Sequence, residues 1–418
     1  MKTESFQARF SSFFYSICPI TFFLPIPYTN FFLFSCLFIS ILILFQSRNK
    51  LEYKSLFSLL IPFGIILYGF GLDIANRSIF NGFKSLEVFL PLLIFPIIIS
   101  ILDVKEENVG QAKVSFLASC FIAAIYCIIV ALYKNEVEHN RMVMDNWNFE
   151  ETLKFYEAYP IGNINWGFFL YEELSKPIGF LPVYLSIYFC IALLIAFEDL
   201  KSSKNYKALY GLVIVILTAE LFLLSAKGPL LILLVIAGFY LFRFFRNRVS
   251  FFSSLVIVSI IFCSVYFVPA ISFRIKSMIS EIGDQSYLKE TETGNWHRLH
   301  LWKTSLNLVE KKMFFGYGLF GSEKVLAAEL NKKGKAYFNS HNQYLMFLMA
   351  TGVFGLAFIV FSIYCQLRVS ILKKDAFYLC FLITIALILI TENFLSRHKG
   401  LILYSFFNSI YFFSLKKK

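Results

Sequence analysis

Long apolar stretches alternate with short polar segments along most of the chain. An α-helix needs about 20 apolar residues to cross the ~30 Å hydrocarbon core of a bilayer. Twelve stretches reach or approach that length, and they begin near Phe13, Asn30, Leu56, Val88, Val114, Phe180, Ala208, Gly228, Phe251, Asn342, Ala376 and Leu401. The pattern therefore predicts an all-α integral membrane protein with about 12 transmembrane helices.

The first apolar stretch is the least regular, because Pro19, Pro25 and Pro27 interrupt it. A cleaved signal peptide is the alternative there, but Glu4 and the absence of a small-residue cleavage site argue against it. We therefore expect this segment to be a membrane helix.

The composition agrees with a membrane protein and excludes other classes. Hydrophobic residues make up 58% of the 418 residues and charged residues 16%, whereas about a quarter of the residues in a soluble domain are charged. Such a chain is neither disordered nor a small disulfide-bonded domain. All eight cysteines lie within apolar stretches. Cysteine behaves there as a small hydrophobic residue, so neither a disulfide framework nor a thiolate metal site is indicated.

The net charge of +12 raises the question of a nucleic-acid partner. If both termini lie in the cytoplasm, 19 of the 39 Lys and Arg residues fall in short cytoplasmic segments and nine in short or intermediate outward segments. The remaining eleven lie in one long outward loop. Basic residues are enriched on the cytoplasmic side, and long loops cross the membrane regardless of charge. Topology therefore accounts for the basic balance, and no nucleic acid is expected as a partner.

Two outward segments are long enough to carry function. They are residues 134–180 and residues 270–341, and the second has the pattern of two helices joined by a Gly-rich turn. All five histidines map to the outward side. We therefore divide the chain into membrane helices over 1–269, a large loop with the active-site residues over 270–341, and three further helices over 342–418.

The first predicted helix of the long loop, from about Trp296 to Lys312, carries Arg298 on its apolar face. The apolar side chains of that face are Leu299, Leu301, Trp302, Leu306 and Val309. A guanidinium in such surroundings needs an anion, and its planar fork suits a phosphate or a carboxylate. The sequence leaves open whether this anion is a substrate or an acid such as Glu292 or Glu310.

His341 opens the tenth apolar stretch, and Gly352 and Gly355 follow on the same predicted helix face. Small residues let a neighbouring helix approach closely, which would hold the imidazole at the membrane surface. An imidazole with an unperturbed pKa near ~6.5 suits a general base at neutral pH. The spacing alone leaves a structural histidine as the alternative.

Together these residues resemble the signature of the O-antigen ligase and O-antigen polymerase superfamily. The similar features are His341-Asn342 followed by Gly352-x-x-Gly355, the string Arg298-Leu-His-Leu-Trp302 and the string Phe315-Gly316-Tyr317-Gly318. They occur in recognisable order within about residues 205–365, whereas the N-terminal third is similar only in hydropathy.

The resemblance implies a GT-C-like membrane glycosyltransferase in the bacterial inner membrane, with its active site facing the periplasm. Such an enzyme takes a glycan from undecaprenyl diphosphate by metal-independent inverting transfer and needs no cofactor. Its partners would be the lipid-linked glycan donor, a lipid A-core or lipid-linked glycan acceptor, and membrane lipid.

By the same resemblance, His341 is the catalytic base and Arg298 binds the donor diphosphate. Lys227, in the string Ser225-Ala226-Lys227-Gly228, stands where the family usually has an arginine. Lysine keeps the charge but loses the bidentate fork. Trp302 and Asn342 are also expected to bind substrate.

The resemblance favours a ligase that moves the glycan onto lipid A-core. A polymerase, whose acceptor is another lipid-linked repeat unit, would need the same base and the same diphosphate site. A flippase or other transporter is the alternative from a different class, since Glu220 and Glu392 are acids within or near apolar stretches. The other interpretation of these acids is a structural pairing with Lys227 or Arg397.

Overall fold

The computed structural model describes residues 2–47, 53–144, 166–202, 205–224, 226–244, 295–332 and 339–417. Within these ranges the regular secondary structure is helical throughout. The α-helices are α1 (Lys2–Thr21), α2 (Ile26–Ser47), α3 (Tyr53–Ala75), α4 (Ile79–Val88), α5 (Pro91–Leu102), α6 (Glu106–Met144), α7 (Tyr171–Ser175), α8 (Pro182–Ser202), α9 (Lys207–Leu224), α10 (Lys227–Phe244), α11 (Asn295–Lys311), α12 (Leu319–Lys332), α13 (Gln343–Leu372), α14 (Ala376–Thr391) and α15 (His398–Lys417). Short 3-10 helices occur at Trp166–Phe169, Lys176–Ile178 and Phe394–Ser396.

Eleven of the twelve predicted apolar stretches coincide with helices, and the one beginning near Phe251 lies outside the described residues. In the described part of the chain, six helices are long and apolar enough to cross a membrane, and a bent pair adds a seventh. That pair is α4 and α5, which meet at 45°. The bend lies where Pro91 begins α5, because proline cannot continue the hydrogen bonding of a preceding helix. By length and composition, the chain is a multi-pass helical membrane protein.

The first predicted stretch begins earlier than expected. Helix α1 already starts at Lys2 and ends at Thr21. Pro25 and Pro27 instead lie at the start of α2, where a missing N–H group costs little because the first helical turn has no partner for it. The Thr29 hydroxyl donates to the Thr21 carbonyl at 2.7 Å and closes the turn between the two helices.

The chain forms two compact units, one comprising Met1–Ser115 and Gln285–Lys418 and the other comprising Phe116–Asp284. In the second unit, α8 is the core helix, because every side chain from 184 to 196 is buried and both α9 and α10 pack against it. Glu220 on α9 is fully buried, and neither carboxylate oxygen has a hydrogen-bond partner within the described residues. The pairing with Lys227 that the sequence suggested is therefore not observed.

In the first unit, α15 is the central helix, because every residue from 400 to 415 is buried. The Phe406 ring lies 5.3 Å from the Phe22 ring and 5.4 Å from the Phe95 ring, measured between centroids. Edge-to-face packing of this kind adds to the energy of burying large apolar side chains. Helix α13 packs against α3 and α14 in the same unit.

Helix α13 is interrupted at Gly352, whose φ of 69° and ψ of −173° are accessible essentially only to glycine. The interruption exposes the carbonyl groups of Met349 and Ala350. These accept hydrogen bonds from the N–H groups of Tyr317 at 2.8 Å and Gly318 at 2.9 Å. The turn between α11 and α12 thereby supplies the donors that the broken helix lacks.

Helix α13 also donates a hydrogen bond to this turn. The Val353 N–H group donates to the Met313 carbonyl at 2.9 Å. A Cβ atom at Gly352 would overlap the Phe314 carbonyl, and one at Gly316 would overlap the Ala350 carbonyl. Glycine is therefore required on both sides of this close backbone contact.

Asp73, near the end of α3, holds the N-terminus of α12. Its buried carboxylate accepts hydrogen bonds from the N–H groups of Phe320 and Gly321, both at 3.0 Å. A carboxylate at a helix N-terminus satisfies donors that have no partner within the helix, and the helix dipole favours its charge. The loop helix α12 is therefore bound to the membrane helix α3 as well as to α13.

Replacing Gly352 by alanine is expected to destabilise the protein by about 1–3 kcal/mol from backbone strain alone. The added Cβ must also displace the Phe314 carbonyl. Thermal unfolding of the purified protein in detergent measures the loss. Gly71→Ala is the matched control, since a Cβ atom on that glycine of α3 meets nothing within 4 Å. Equal losses in the two variants would contradict the special role of Gly352.

Candidate active site

His341 lies immediately before the N-terminus of α13, in a backbone conformation with a φ of 45°. Its N–H group donates to the Asn339 side-chain oxygen at 3.0 Å. Asn342 then caps the helix, because its side-chain oxygen accepts a hydrogen bond from the Leu345 N–H group at 3.0 Å. The imidazole is thus presented from a tight turn that ends on a fixed helix.

The Glu392 carboxylate joins His341 and Arg298. Its Oε2 lies 3.2 Å from His341 Nδ1, and its Oε1 accepts a hydrogen bond from Arg298 Nη2 at 2.7 Å. The exposed fraction of the side chain is 12% for Glu392, 28% for His341 and 34% for Arg298. The carboxylate therefore lies behind an imidazole and a guanidinium that both remain accessible. We call these three residues the Glu392 cluster.

The residue before His341 is held from two directions. Trp302 on α11 donates its indole N–H group to the Ser340 carbonyl at 3.0 Å. The Ser340 hydroxyl lies 3.3 Å from the side-chain oxygen of Asn393 and donates to the Asn342 carbonyl at 3.0 Å. Hydrogen bonds from α11 and from the segment after α14 thus meet beside the imidazole.

Gln343, the first residue of α13, holds the segment that follows Glu392. Its side-chain oxygen accepts hydrogen bonds from the N–H groups of Leu395 at 2.9 Å and Ser396 at 3.1 Å. Its amide nitrogen donates to the Ser396 hydroxyl at 2.8 Å. Gln343 is fully buried, and a satisfied buried polar network of this kind is rigid. The positions of Glu392 and His341 are therefore coupled.

The predicted loop helix is confirmed as α11, and a Gly-containing turn and α12 follow it. The predicted buried face is partly wrong, because Leu299 and Leu306 are exposed whereas Thr304 and Ser305 are buried. Helices α12 and α13 cover one side of α11 and decide which residues are buried. Their shared apolar core consists of Leu301, Leu308, Val309, Leu326, Leu330 and Met349.

The common helix face predicted for His341, Gly352 and Gly355 is also wrong. His341 precedes the helix and Gly352 interrupts it, so a constant rotation per residue does not relate the three positions. The expected close approach does occur. A Cβ atom at Gly355 would lie 3.3 Å from a side-chain carbon of Ile65 on the neighbouring helix α3.

Glu392 is the site residue whose role was missed from the sequence. Its candidate partner near in sequence was Arg397, but the structure pairs it with Arg298 and His341, 94 and 51 residues away. Likewise, the partner of Arg298 is not Glu310, and Glu292 lies outside the described residues. The available signal was an acid at the end of an apolar stretch, which is costly unless it is paired.

The remaining predicted site residues are Lys227, Trp302 and Asn342. Lys227 is the first residue of α10 and belongs to the second unit. Trp302 and Asn342 both lie beside His341. The Trp302 indole binds the Ser340 carbonyl, and the Asn342 side chain caps α13. Substrate binding by Lys227, Trp302 and Asn342 stays a prediction.

The Glu392 cluster can accept a proton and bind an anion at one place. An ionised carboxylate only accepts hydrogen bonds, so the neutral tautomer of His341 that fits this contact has its proton on Nδ1. Nε2 then carries the lone pair, and within the described ranges no hydrogen bond occupies it. The Arg298 guanidinium offers further N–H donors besides the one that binds Glu392, and these suit phosphate oxygens.

The fold and the site together define a multi-pass helical membrane protein in which one carboxylate holds an imidazole and a guanidinium. Residues 212–360 match the family model described as O-antigen ligase. The match includes Arg298, His341 and Gly352, whereas Glu392 lies beyond it. It supports the O-antigen ligase and polymerase superfamily of membrane glycan-processing enzymes and confirms the resemblance stated from the sequence. No curated protein matches the chain.

Replacing Gln343 by leucine is expected to leave the N–H groups of Leu395 and Ser396 without their acceptor. Each buried unsatisfied group costs about 1–3 kcal/mol, which thermal unfolding in detergent will report. Gln46→Leu, at an exposed position on α2, is the matched control and should change stability by less than ~0.5 kcal/mol. A similarly small loss at Gln343 would show that this contact does not hold the segment.

Proposed function

We propose that the protein is a membrane glycosyltransferase that moves a glycan from undecaprenyl diphosphate to lipid A-core oligosaccharide. It would act at the periplasmic face of the bacterial inner membrane, with a GT-C-like arrangement of helices. The observation that carries this proposal is the Glu392 cluster, in which one carboxylate holds an imidazole and a guanidinium side by side. The O-antigen ligase match over residues 212–360 supports the substrate class.

In the proposed reaction, His341 Nε2 takes the proton of the acceptor hydroxyl while that oxygen attacks the anomeric carbon of the donor glycan. A new carbon–oxygen bond forms on one side of this carbon. The bond to the diphosphate oxygen breaks on the other side, and undecaprenyl diphosphate leaves with the electron pair. A single displacement of this kind inverts the anomeric configuration, and the imidazolium then returns its proton to solvent.

Arg298 would bind the donor diphosphate and stabilise the negative charge that develops on the leaving oxygen. Lys227 would add a second positive charge, without the bidentate geometry of an arginine. Trp302 and Asn342 would contact the substrate close to His341. The mechanism assigns charge stabilisation to Arg298 and Lys227 and proton transfer to His341, and it uses no metal or cofactor.

The ligase is preferred over the polymerase because Arg298-x-x-x-Trp302 and His341-Asn342 occur together in one loop, whereas the family match supports both activities alike. The two activities share the donor, the base and the diphosphate site and differ in the acceptor. A transporter of lipid-linked oligosaccharide would need neither an unoccupied imidazole nitrogen nor a base. The three functions therefore give different products in one experiment.

Replacing His341 by alanine is expected to lower the transfer rate by about 10²–10⁴-fold, and Arg298→Ala by about 10²–10³-fold. The test uses a strain that lacks this gene and produces the variants at matched membrane levels. Lipopolysaccharide ladders on gels, together with extracted lipid-linked glycan, report the product. The matched control is Lys303→Ala, at an exposed position on α11, which should leave the ladder unchanged.

The products distinguish the candidate functions. If the inactive variants leave full-length glycan on undecaprenyl diphosphate while lipid A-core remains bare, the result supports the ligase. Single repeat units on lipid A-core would identify the polymerase instead. Full activity of both His341→Ala and Arg298→Ala would contradict glycosyl transfer at this site and would favour a transporter.

A further inference from the structure

We infer that Glu392 is a positioning residue that couples binding of the diphosphate donor to activation of His341. The inference rests on the proposed function and extends it to a residue outside the matched family region. Glu392 is the most buried of the three side chains, so a substrate reaches Arg298 and His341 before it reaches the carboxylate. Its role is therefore exerted through its two partners.

The position of Glu392 is determined by contacts within the fold. Its N–H group donates to the Ile388 carbonyl at 2.9 Å and ends helix α14. The next residue, Asn393, lies beside the Ser340 hydroxyl, and Gln343 binds Ser396. The carboxylate is consequently held against the imidazole by the contacts of the residues before and after Glu392 in the sequence.

A carboxylate at this position needs a compensating cation. The C-terminal end of a helix carries partial negative charge, which disfavours a further negative charge beside it. Arg298 supplies the compensation at 2.7 Å. The same ion pair reduces the negative charge that His341 experiences, because Glu392 shares its two oxygens between the two partners.

A donor diphosphate changes this balance. It carries more negative charge than a carboxylate and suits the guanidinium fork, so it competes with Glu392 for Arg298. Once Arg298 turns to the diphosphate, the charge of Glu392 acts mainly on the His341 Nδ1–H group. It then stabilises the imidazolium that forms when Nε2 takes the acceptor proton. The base is thus strongest when the donor is present.

Glu392→Gln is the variant that separates coupling from simple structural support. The amide keeps the size of the side chain and can still accept from Nδ1–H, but it no longer neutralises Arg298. We expect kcat to fall by about 10²–10⁴-fold, as for loss of base function. The donor KM should fall by about 5-fold or more, because Arg298 no longer exchanges one anion for another. Glu392→Asp keeps the charge and should recover at least ~10-fold of the lost kcat.

Binding of undecaprenyl diphosphate alone tests the coupling without requiring transfer. The Kd, measured on purified full-length protein in detergent, should be lower by about 5-fold or more in Glu392→Gln than in the native chain. In an Arg298→Ala background, adding Glu392→Gln should leave the Kd unchanged. The native protein, Arg298→Ala and Glu392→Gln complete this double-mutant cycle.

The outcomes are distinguishable. A fall in kcat with a fall in donor KM and Kd, and rescue by Glu392→Asp, supports the inference. A higher Kd in Glu392→Gln, or an equal effect with and without Arg298, would show that the carboxylate is only structural, and the inference would be overturned while the proposed function stood. If the native protein neither binds undecaprenyl diphosphate nor transfers glycan, the proposed function itself fails, and the inference fails with it.

Discussion

The break in α13 at Gly352 is the constraint on which the site depends. Backbone carbonyl groups of a helix that is long and apolar enough to span a membrane need hydrogen-bond partners, because bulk water does not solvate them in a bilayer. The carbonyls of Met349 and Ala350 obtain their partners from Tyr317 and Gly318, in the turn between the two loop helices. A segment outside the membrane helices thereby becomes part of the hydrogen bonding of one of them. Helix α11 is positioned by the same turn and brings its polar residues to the start of α13.

The second requirement is electrostatic, and it uses three segments that are far apart in the chain. A carboxylate that is mostly buried is unfavourable unless its charge is paired. Glu392 ends α14, His341 lies on the turn before α13, and Arg298 comes from α11. Removing any one of them changes the electrostatic surroundings of the other two. The contacts that stabilise this end of the unit are therefore the same ones that, on the proposed mechanism, prepare a base and an anion-binding group.

Hydropathy predicted the helices well, because a long apolar stretch has one stable structure in a bilayer. Eleven of the twelve apolar stretches are helical, and six or seven helices in the described part of the chain are long and apolar enough to cross a membrane. The motif resemblance also singled out Arg298 and His341. Glu392 could not be assigned in this way, since 51 and 94 residues separate it from its partners and only tertiary structure decides the pairing. Extrapolation along an ideal helix failed at Gly352 for a local reason, namely a backbone conformation that side-chain periodicity does not reveal.

On the proposed mechanism, the charge of the cluster follows the reaction. Arg298 and Glu392 compensate each other before the donor binds, the diphosphate then brings negative charge, and proton transfer to His341 brings positive charge next to the released carboxylate. In partly buried surroundings these interactions are stronger than in water, so each step lowers the cost of the next. Only the diphosphate and the proton of a hydroxyl group enter this balance. The choice of acceptor must therefore be made by surfaces outside the Glu392 cluster, and a ligase and a polymerase can be built on the same cluster.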